Sequence, residues 1–447
     1  MDTHGEKTGI FAKKGLWIGI GIGIFILIAF ILPTPASLIE VLEKYGYVDK
    51  MVEWEIAEDV HQASQKTMIV LGIVPMAVIF FAVEALPIGA TGILMPIMAY
   101  FFGLLPFNKI GKTFAGDAPL FMLGVFALGA TVVEVGFHKR LAVWLLGWTR
   151  GFWVPMIVLC LSMSIVGSFM SAPAMCSFMV PVMMAVYYGS VKATSPKGKV
   201  VHDPALAKFL LFSLCFALNM GGPGTPSAGG RNVIMMGFFT EYGIPITYSG
   251  WMKYGWPLVP LGSVMLLLYM ATFFSKKIKT RDLTPGLEYI KEETRKMGKM
   301  KYPEYVTAGS LFLIVILWIF GGEATGLGGP ALLALVIPVL FKTVDFDKIL
   351  NRISFNAWFM YCGALTLGAL LKESGGALWL ARTFLNTLSN VGMDQGYGLW
   401  VGMSSFSGLV TNFMSDAATV ALIGPIVVPM GIMTKVAGEP WAIGMAV

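Results

Sequence analysis

The sequence predicts an all-α polytopic membrane protein, and three observations support this fold class. Of its 447 residues, 56% are hydrophobic and 13% are charged, whereas soluble domains have roughly 45–50% and about 25%. The mean hydropathy is +0.74, so lipid is the solvent for much of the exterior. The apolar residues also form long uninterrupted runs, whereas a spanning β-barrel would alternate over strands of ~10 residues. A cytosolic enzyme is therefore excluded.

Apolar runs of helical length recur along the whole chain. The first, from Leu16 to Leu32, lacks a small-residue cleavage site and is predicted to be a retained span, not a signal peptide. The pattern predicts about fourteen helical pieces, some too short to cross a bilayer alone. They are expected near residues 16–33, 67–83, 87–105, 119–135, 152–167, 177–189, 205–220, 256–274, 304–320, 330–341, 356–371, 376–390, 396–410 and 418–434, with another beginning near Trp441.

Polar stretches divide these runs into four parts. Residues 1–66 are predicted to form an N-terminal span and an amphipathic segment, which carries seven acids and is expected on the non-cytoplasmic side. Residues 276–303 are predicted to be a cytoplasmic linker, because nine basic residues there outnumber four acids. The net charge of +6 is thus a topology signal, and no nucleic-acid partner is implied. Residues 67–275 and 304–447 remain as two longer parts.

The two longer parts repeat each other. A shift of 239 residues superposes Glu84 on Glu323, Lys109 on Lys348, Gly129 on Gly368 and Glu134 on Glu373. A shift of 244 residues then superposes Phe169-Met170-Ser171 on Phe413-Met414-Ser415. Paired repeats that are interrupted at corresponding points indicate a secondary transporter, with its site near the membrane midplane between the repeats. We expect the repeats to be inverted, since that arrangement is the commoner one.

Each repeat contains an interruption that we predict to be the tip of a re-entrant helical hairpin. The first tip is residues 167–174 and the second is residues 411–419, where small and hydroxyl residues replace the apolar ones. A tip that stops near the midplane would offer helix N-terminal N–H groups and Ser hydroxyls to an anion. Its unwound carbonyl groups would suit a small cation. The duplication favours this interpretation over simple helix packing by small residues.

A third segment, residues 219–232, is predicted to be an unwound helix. Its fourteen residues include five Gly and two Pro, which cannot remain an α-helix. Unwound backbone at membrane depth is tolerated only where it faces protein or a cavity, so this Gly-rich segment is expected to line the pathway. It lacks the GxxxxGK[ST] pattern and follows a helix, which disfavours a nucleotide-binding loop.

Together these features resemble the divalent anion/sodium symporter (DASS) family. The resemblance rests on Glu84-Ala85-Leu86-Pro87, on the paired Ser-led tips, and on the Gly-Gly-x-Gly-Thr pattern that closes on Asn232. It covers nearly the whole chain. It implies transport of dicarboxylates, citrate or sulfate, a homodimer, and a transport domain that moves against a fixed scaffold domain. Each tip would contribute to a sodium site and to binding the substrate carboxylates.

The chain departs from the family pattern at the decisive positions. The tips of the family read Ser-Asn-Thr, whereas these read Ser171-Ala172-Pro173 and Ser415-Asp416-Ala417. The Gly-Thr segment of the family ends in Pro-Pro-Asn, and here it ends in Gly230-Arg231-Asn232. The site region therefore gains one fixed cation and one titratable acid. An intramembrane charge costs ~2.5–3.5 kcal/mol on insertion scales, so both are functional candidates.

Several roles for these two charges stay open. Arg231 could bind the anion or take the place of one sodium ion, since its planar fork suits carboxylate, sulfonate or phosphonate groups. Asp416 could strengthen the remaining cation site or carry a proton. The two could simply pair with each other, or Arg231 could lie at the mouth of the segment and extend to water.

These considerations predict two sets of site residues. The substrate site is predicted to comprise Ser171, Pro173, Thr225, Arg231, Asn232, Ser415, Asp416 and Ala417. The cation sites are predicted to comprise Gly167, Ser171, Ala172, Gly222, Gly224, Thr411, Met414 and Asp416. The predicted function is secondary active transport of a small anion by alternating access, coupled to sodium or protons, with no other cofactor, in the inner (plasma) membrane.

Two other functions are weighed against this one. A sodium/proton antiporter or arsenite-type permease of the same broader superfamily would use Asp416 as the ion carrier. An integral-membrane enzyme is disfavoured, because no nucleophile–His arrangement or metal-ligand spacing is present among the four Cys and four His. The cysteines are interpreted as packing residues, the paired acids such as Glu134 as structural, and Lys109 and Lys348 as solvated.

The end of the chain also carries an expectation. A second copy of the Gly-Thr segment is due near residue 465, which is Gly221 plus the shift of 244, whereas the sequence given ends at Val447. The second repeat is therefore expected to be truncated.

Overall fold

The computed structural model describes residues 14–170, 172–196, 200–244, 246–296 and 298–434. In these ranges the chain forms twenty-three α-helices and no β-strand. The first twelve are α1 (Lys14–Ile26), α2 (Ala36–Lys44), α3 (Tyr47–Glu53), α4 (Val60–Ala82), α5 (Ile88–Phe101), α6 (Phe107–Ala115), α7 (Asp117–Val135), α8 (Phe137–Leu146), α9 (Trp153–Phe169), α10 (Ala172–Thr194), α11 (Pro204–Met220) and α12 (Gly230–Glu241). The others are α13 (Tyr248–Gly255), α14 (Leu258–Phe273), α15 (Thr284–Lys296), α16 (Tyr302–Phe320), α17 (Gly322–Thr325), α18 (Gly328–Leu340), α19 (Phe346–Arg352), α20 (Phe355–Glu373), α21 (Gly376–Ser389), α22 (Gly396–Val410) and α23 (Asp416–Thr434).

The helices have the length and composition of a multi-pass membrane protein. Six helical stretches within the described residues are long and apolar enough to span a bilayer, and α19 with α20, bent by 64°, would make a seventh. Other apolar helices, including α5, α9, α11 and α18, are shorter. The all-helical fold class is therefore confirmed. The helix expected near Trp441 lies outside the described residues.

Two compact units make up the fold. Unit 1 comprises the described parts of Met1–Pro119, Ile234–Pro245 and Ser354–Val447, and unit 2 those of Leu120–Val233 and Ile246–Ile353. Each unit thus combines the front part of one predicted repeat with the back part of the other. The four parts predicted from the sequence divide the chain by its order, whereas the units divide it by contacts in space. The predicted boundaries of the four parts therefore stay a prediction.

Helix boundaries repeat with the shifts found in the sequence. The helices α6 and α19 begin at Phe107 and Phe346, which are 239 residues apart. The helices α10 and α23 begin at Ala172 and Asp416, which are 244 residues apart. Each of the latter two follows a break at the predicted hairpin tip. The internal repeat therefore extends from residue identities to where the helices start.

Close backbone packing repeats in the same way. In unit 1, a Cβ atom at Gly363 of α20 would overlap the backbone of Gly92 in α5. In unit 2, a Cβ atom at Gly124 of α7 would overlap the carbonyl of Ala331 in α18. The shift of 239 relates Gly92 to Ala331 and Gly124 to Gly363. Equivalent positions are thus in contact in both units. The position supplied by the first repeat in one unit is supplied by the second repeat in the other, and small residues permit the close approach.

The basic linker contains a helix that packs into unit 2. It contains α15, and a Cβ atom at Gly286 would overlap the backbone of Val186 in α10. The side chains of Leu283 and Leu287 are buried in the core of unit 2. The segment is therefore an integral part of unit 2.

Asp203 is a buried helix cap that ties this region together. Its Oδ1 accepts from the Leu206 N–H at 3.2 Å, and its Oδ2 accepts from the N–H groups of Lys279 and Thr280 at 2.8 and 3.0 Å. Burial disfavours the charged form, but these backbone donors outweigh it and lower the pKa of Asp203 below its ordinary value. The ionised carboxylate therefore stabilises the junction of α11 with the linker.

We expect Asp203 to make stability depend on pH. Because its folded pKa is lowered, its contribution is present above the unfolded pKa of about 3.9 and is lost as pH falls through the folded value. Asp203→Asn should cost about 1–3 kcal/mol at pH 7 and leave a smaller loss on acidification. Apparent melting temperatures at pH 7 and at pH near 3 measure both effects. Asp59→Asn is the matched control, because exposed Asp59 caps α4 through one N–H, from Gln62. Equal losses in both variants would contradict the assignment.

Candidate functional site

The structure distributes the predicted site residues over both units. The first tip and the whole Gly-rich segment lie in unit 2, whereas the second tip lies in unit 1. Ser171 lies outside the described residues, as does the side chain of Pro173. In the described ranges, no three His, Cys, Asp or Glu side chains are grouped as ligands for a metal ion.

At the first tip, the end of α9 is in direct backbone contact with the end of α11. Helix α9 ends at Phe169 and α10 begins at Ala172. A Cβ atom at Gly167 would lie 2.8 Å from the Leu218 carbonyl oxygen in α11, and one at Gly221 would overlap the Ser164 carbonyl. Glycine is required at both positions because no side chain fits between the two backbones. The structure thus brings the first tip and the start of the Gly-rich segment together.

Hydroxyl groups connect the tip to the Gly-rich segment. Ser168 Oγ donates to the Gly221 carbonyl at 3.0 Å, and Thr225 Oγ1 donates to the Ser168 carbonyl. Both side chains are fully buried. A Cβ atom at Gly224 would lie 2.5 Å from Ser168 Oγ. Predicted site residues Thr225, Gly224 and Gly167 therefore belong to one buried assembly.

Asn232 holds the shape of this segment. Its Nδ2 donates to the Gly222 carbonyl at 2.8 Å and to the Thr225 carbonyl at 2.7 Å, and the residue is buried. The amide gives both carbonyls of the unwound segment a buried donor, and the Thr225 carbonyl also accepts from the Ala228 N–H at 3.2 Å. A carbonyl oxygen has two lone pairs, so the Gly222 oxygen retains one that could bind a cation.

Arg231 lies back over the segment. A Cβ atom at Gly222 would overlap the guanidinium group of Arg231, so that group lies directly against the Cα of Gly222. Arg231 is half-buried and is in the first turn of α12. The helix N-terminus and the guanidinium group are both attractive to anions.

Further polar residues of this region were missed from the sequence. Ser164 Oγ donates to the Ala217 carbonyl at 2.8 Å, and Ser263 Oγ donates to Ser164 Oγ at 2.7 Å. Ser227 Oγ and Tyr248 Oη lie 2.8 Å apart, and the Tyr248 ring stacks on Trp318. All four hydroxyl residues are buried. Ser164 and Ser168, one helical turn apart in an apolar helix, were the signal that could have revealed them.

The second tip is more open. Helix α22 ends at Val410, and Thr411 Oγ1 and Asn412 Nδ2 both donate to the Gly408 carbonyl, at 2.9 and 2.7 Å. Helix α23 begins at Asp416, and Ser415 Oγ accepts from the Ala418 N–H at 3.3 Å.

The exposure of the second tip differs from that of the first. Ser415 and Asp416 are exposed, whereas Met414 and Ala417 are half-buried. An acid in the first turn is favourable with the helix dipole of α23. The tip therefore presents a hydroxyl and a carboxylate at one helix start.

Asn232→Ala is expected to destabilise the conformation of the Gly-rich segment. The Gly222 carbonyl would lose the Asn232 donor, and the Thr225 carbonyl would keep only the Ala228 N–H. A buried carbonyl left unsatisfied costs about 1–3 kcal/mol. The apparent melting temperature should fall, and hydrogen exchange of residues 221–229 should rise by at least about tenfold. Asn412→Ala is the matched control, since Asn412 is exposed and should change neither readout. Unchanged exchange in Asn232→Ala would show that the amide does not hold the segment.

Comparison with known proteins gives consistent matches. The family model described as citrate transporter matches residues 78–447. The sodium-dependent high-affinity dicarboxylate transporter 3 of Caenorhabditis elegans is 22% identical over 396 residues, covering 78% of this chain and 68% of that protein. The sodium-dependent dicarboxylate transporter SdcS of Staphylococcus saprophyticus is 24% identical over 397 residues, covering 83% and 75%. Among solved structures, the YdaH transporter of Alcanivorax borkumensis aligns with a TM-score of 0.49 and 10% identity, covering 77% and 78%.

Proposed function

The chain belongs to the citrate transporter family, and we propose that it moves a small dicarboxylate-, sulfonate- or sulfate-like anion across a membrane by alternating access. Sodium is the coupling ion we favour, because the relatives from Caenorhabditis elegans and Staphylococcus saprophyticus are named sodium-dependent dicarboxylate transporters. Protons are the alternative. The reaction is translocation, in which no covalent bond changes.

The observation that carries this proposal is the matched pair of helix breaks. Helices α10 and α23 begin 244 residues apart, each after an apolar helix that ends at a tip. At 1.5 Å per residue, the 15-residue α22 extends about 22 Å, less than the ~30 Å hydrocarbon core. Broken helices that end within the membrane at equivalent points of two repeats are typical of secondary transporters.

In this proposal Arg231 is the principal ligand of the anion. Arg231 is at the start of α12, and its guanidinium group lies against Gly222. The guanidinium N–H groups are donors for a carboxylate or sulfonate. Thr225 and Asn232 stabilise the segment that positions it. The Ser415 hydroxyl and the α23 N-terminus are the contribution that we propose for the second tip, with Ser171 and Pro173 predicted for the first.

The coupling ion would balance the charge that the anion brings. Moving an anion against an inside-negative potential costs about 2.3 kcal/mol per charge per 100 mV, so cotransported cations remove this barrier. Carbonyl groups around Gly167, Ala172, Gly222 and Gly224 are the proposed ligands at the first tip. Thr411, Met414 and Asp416 are those at the second, where the Asp416 carboxylate adds a fixed negative charge. A homodimer in the inner (plasma) membrane completes the proposal.

A sodium/proton antiporter is the second candidate, and Asp416 at the start of α23 is the observation that favours it. Uptake into proteoliposomes separates the two. With an inward sodium gradient we expect accumulation of at least one labelled anion among a C4 dicarboxylate, citrate, sulfate and an alkylsulfonate. Replacing sodium by potassium should abolish it. Sodium-driven proton movement with no anion present, together with no anion uptake, would establish the antiporter instead.

A further inference from the structure

A buried cluster of opposite charges lies at the end of α20 in unit 1. The Glu373 carboxylate is only 4% exposed and pairs with Lys109 at 2.9 Å and with Lys50. Both amines also face the ring of Trp54, at 4.2 Å for Lys109 and 5.0 Å for Lys50. The Lys372 amine lies 3.8 Å from the same carboxylate. Three lysines thus surround one acid, and two of them also face one ring. Lys109 was predicted to be solvated, and the structure corrects this.

Lys50 and Trp54 belong to a separate segment that covers the cluster. This segment, α2–α3 (residues 36–53) with Trp54, precedes the part of the chain that matches the family model. It contacts α20–α21 at further points: Ser37 Oγ lies 3.1 Å from Trp379 Nε1, and the Tyr45 ring faces the Arg382 guanidinium at 4.7 Å. A Cβ atom at Gly375 would lie 2.8 Å from Leu42. We call α2–α3 with Trp54 the strap.

The repeat places an equivalent acid in unit 2. Glu134 is 239 residues before Glu373, and Lys348 is 239 residues after Lys109. Glu134 and Lys348 line one open cavity of about 270 Å³, together with Thr343 and Asp345.

The equivalent acid is held much more loosely. Glu134 is 24% exposed and pairs with Arg352 at 2.7 Å, while Lys348, 58% exposed, pairs with Asp345 at 2.9 Å. The Glu373–Lys109 pair of unit 1 is therefore closed, whereas the equivalent Glu134 and Lys348 of unit 2 are not paired with each other and line an open cavity.

We propose that these two clusters are alternate latches of the transport cycle. The structure holds the Glu373 latch closed and the Glu134 latch open. In the opposite state Lys348 leaves Asp345 for Glu134 and the cavity closes, while the strap lifts from Glu373. The inference rests on the proposed alternating-access function. It identifies Glu134 and Glu373 as residues that position the two states, not as ligands of the anion.

The chemistry of the two clusters suits such an exchange. An exposed pair such as Lys348–Asp345 contributes little to stability, so Lys348 can change partners readily. A buried carboxylate must keep a cation or become exposed, so the Glu373 cluster has two discrete arrangements and few intermediate ones. In this proposal, the conformation of each sequence-equivalent segment is one that the other adopts in the opposite state, in line with alternating access by rigid-body motion between repeats.

Accessibility of two cysteine reporters tests the proposal. The reporters are Thr343→Cys in the cavity and Leu42→Cys on the inner face of the strap, where Leu42 is fully buried. Each is introduced singly into a variant of the protein in which the four native cysteines are replaced by alanine. Labelling by a hydrophilic maleimide is followed in detergent without any anion, so it reports on the two states independently of what is transported.

The matched variants are Glu373→Gln and Glu134→Gln, the same change at equivalent positions. Glu373→Gln should speed labelling at position 42 and slow it at position 343, each by about threefold or more. Glu134→Gln should shift both reporters in the opposite direction. Should Glu373→Gln prove unstable in size-exclusion chromatography, Lys50→Gln is used instead. It should change both labelling rates in the same directions by a smaller factor.

The outcomes separate this inference from the function on which it rests. Reporters that respond together, or to neither variant, would overturn the latches even if sodium-driven anion uptake is found. Opposite responses in a protein that takes up none of the anions would support the two states and reject the proposed cargo.

Discussion

Arg231→Gln is expected to remove anion binding. Truncating one partner of a buried, hydrogen-bonded charge pair costs about 2–5 kcal/mol, so the affinity for the transported anion should fall by at least about thirtyfold. The physical reason is that glutamine lacks the positive charge and the guanidinium donors that lie against Gly222. A thermal-shift titration of the purified protein with the anion that wild type takes up measures it, because a ligand of the folded state raises apparent stability.

Two controls make the Arg231 result interpretable. Arg231→Lys keeps the charge but loses the planar fork, and should retain part of the affinity. Arg150→Gln removes an exposed arginine and should leave the titration unchanged. Uptake by Arg231→Gln with unaltered anion affinity would place Arg231 at the mouth of the segment, extending to water.

The same residue tests the alternative that Arg231 and Asp416 pair. If they pair, Arg231→Ala alone should destabilise the protein more than Arg231→Ala combined with Asp416→Ala, since the single change leaves an unpaired charge. If Arg231 serves the anion and Asp416 the cation, the two losses should add. The double-mutant cycle on apparent melting temperature discriminates between these outcomes.

Gly363→Ala is expected to disrupt the packing of unit 1. Its Cβ would overlap the Gly92 backbone, and a backbone atom cannot move aside as the end of a side chain can. Overpacking of this kind costs typically about 1–3 kcal/mol. The apparent melting temperature should therefore fall by at least about 3 °C. Gly124→Ala should cause a similar fall through Ala331 in unit 2, because the two glycines are equivalent in the repeat.

Gly129→Ala is the matched control for both glycines. Gly129 lies in α7, five residues after Gly124, and a Cβ atom there meets nothing within 4 Å. Alanine is the better helix former by roughly 1 kcal/mol, so this variant should be as stable as wild type or more stable. If all three variants behave alike, the close backbone approach is not what requires glycine at positions 124 and 363.

Most of the fold and the family could be predicted from the sequence. Composition and long apolar runs identify lipid as the solvent, and the shifts of 239 and 244 residues place the helix breaks before any coordinates are known. The resemblance to the DASS family is confirmed by relatives that are named sodium-dependent dicarboxylate transporters. These are properties of residue type and spacing, which the chain carries locally.

The site could be predicted only in outline. The sequence predicts Arg231 and Asn232 to be site residues, but it could not show that Asn232 binds two carbonyls of its own segment or that Arg231 lies against Gly222. Nor did it reveal Ser263 and Tyr248, whose partners are far away in the chain. Hydrogen-bond partners depend on which helices meet, and spacing along one helix does not specify that.

The sequence by itself determined the solvent, the helices, the repeat and the family, because hydropathy, glycine and proline act on the residues nearest to them. Tertiary structure alone decided what the charges do. Lys109 and Lys348 are equivalent in sequence, yet one is held by a buried Glu373 and the other is exposed beside Asp345. Their difference arises from the strap and from the packing around each acid, since the energy of a charge depends on its neighbours and its burial.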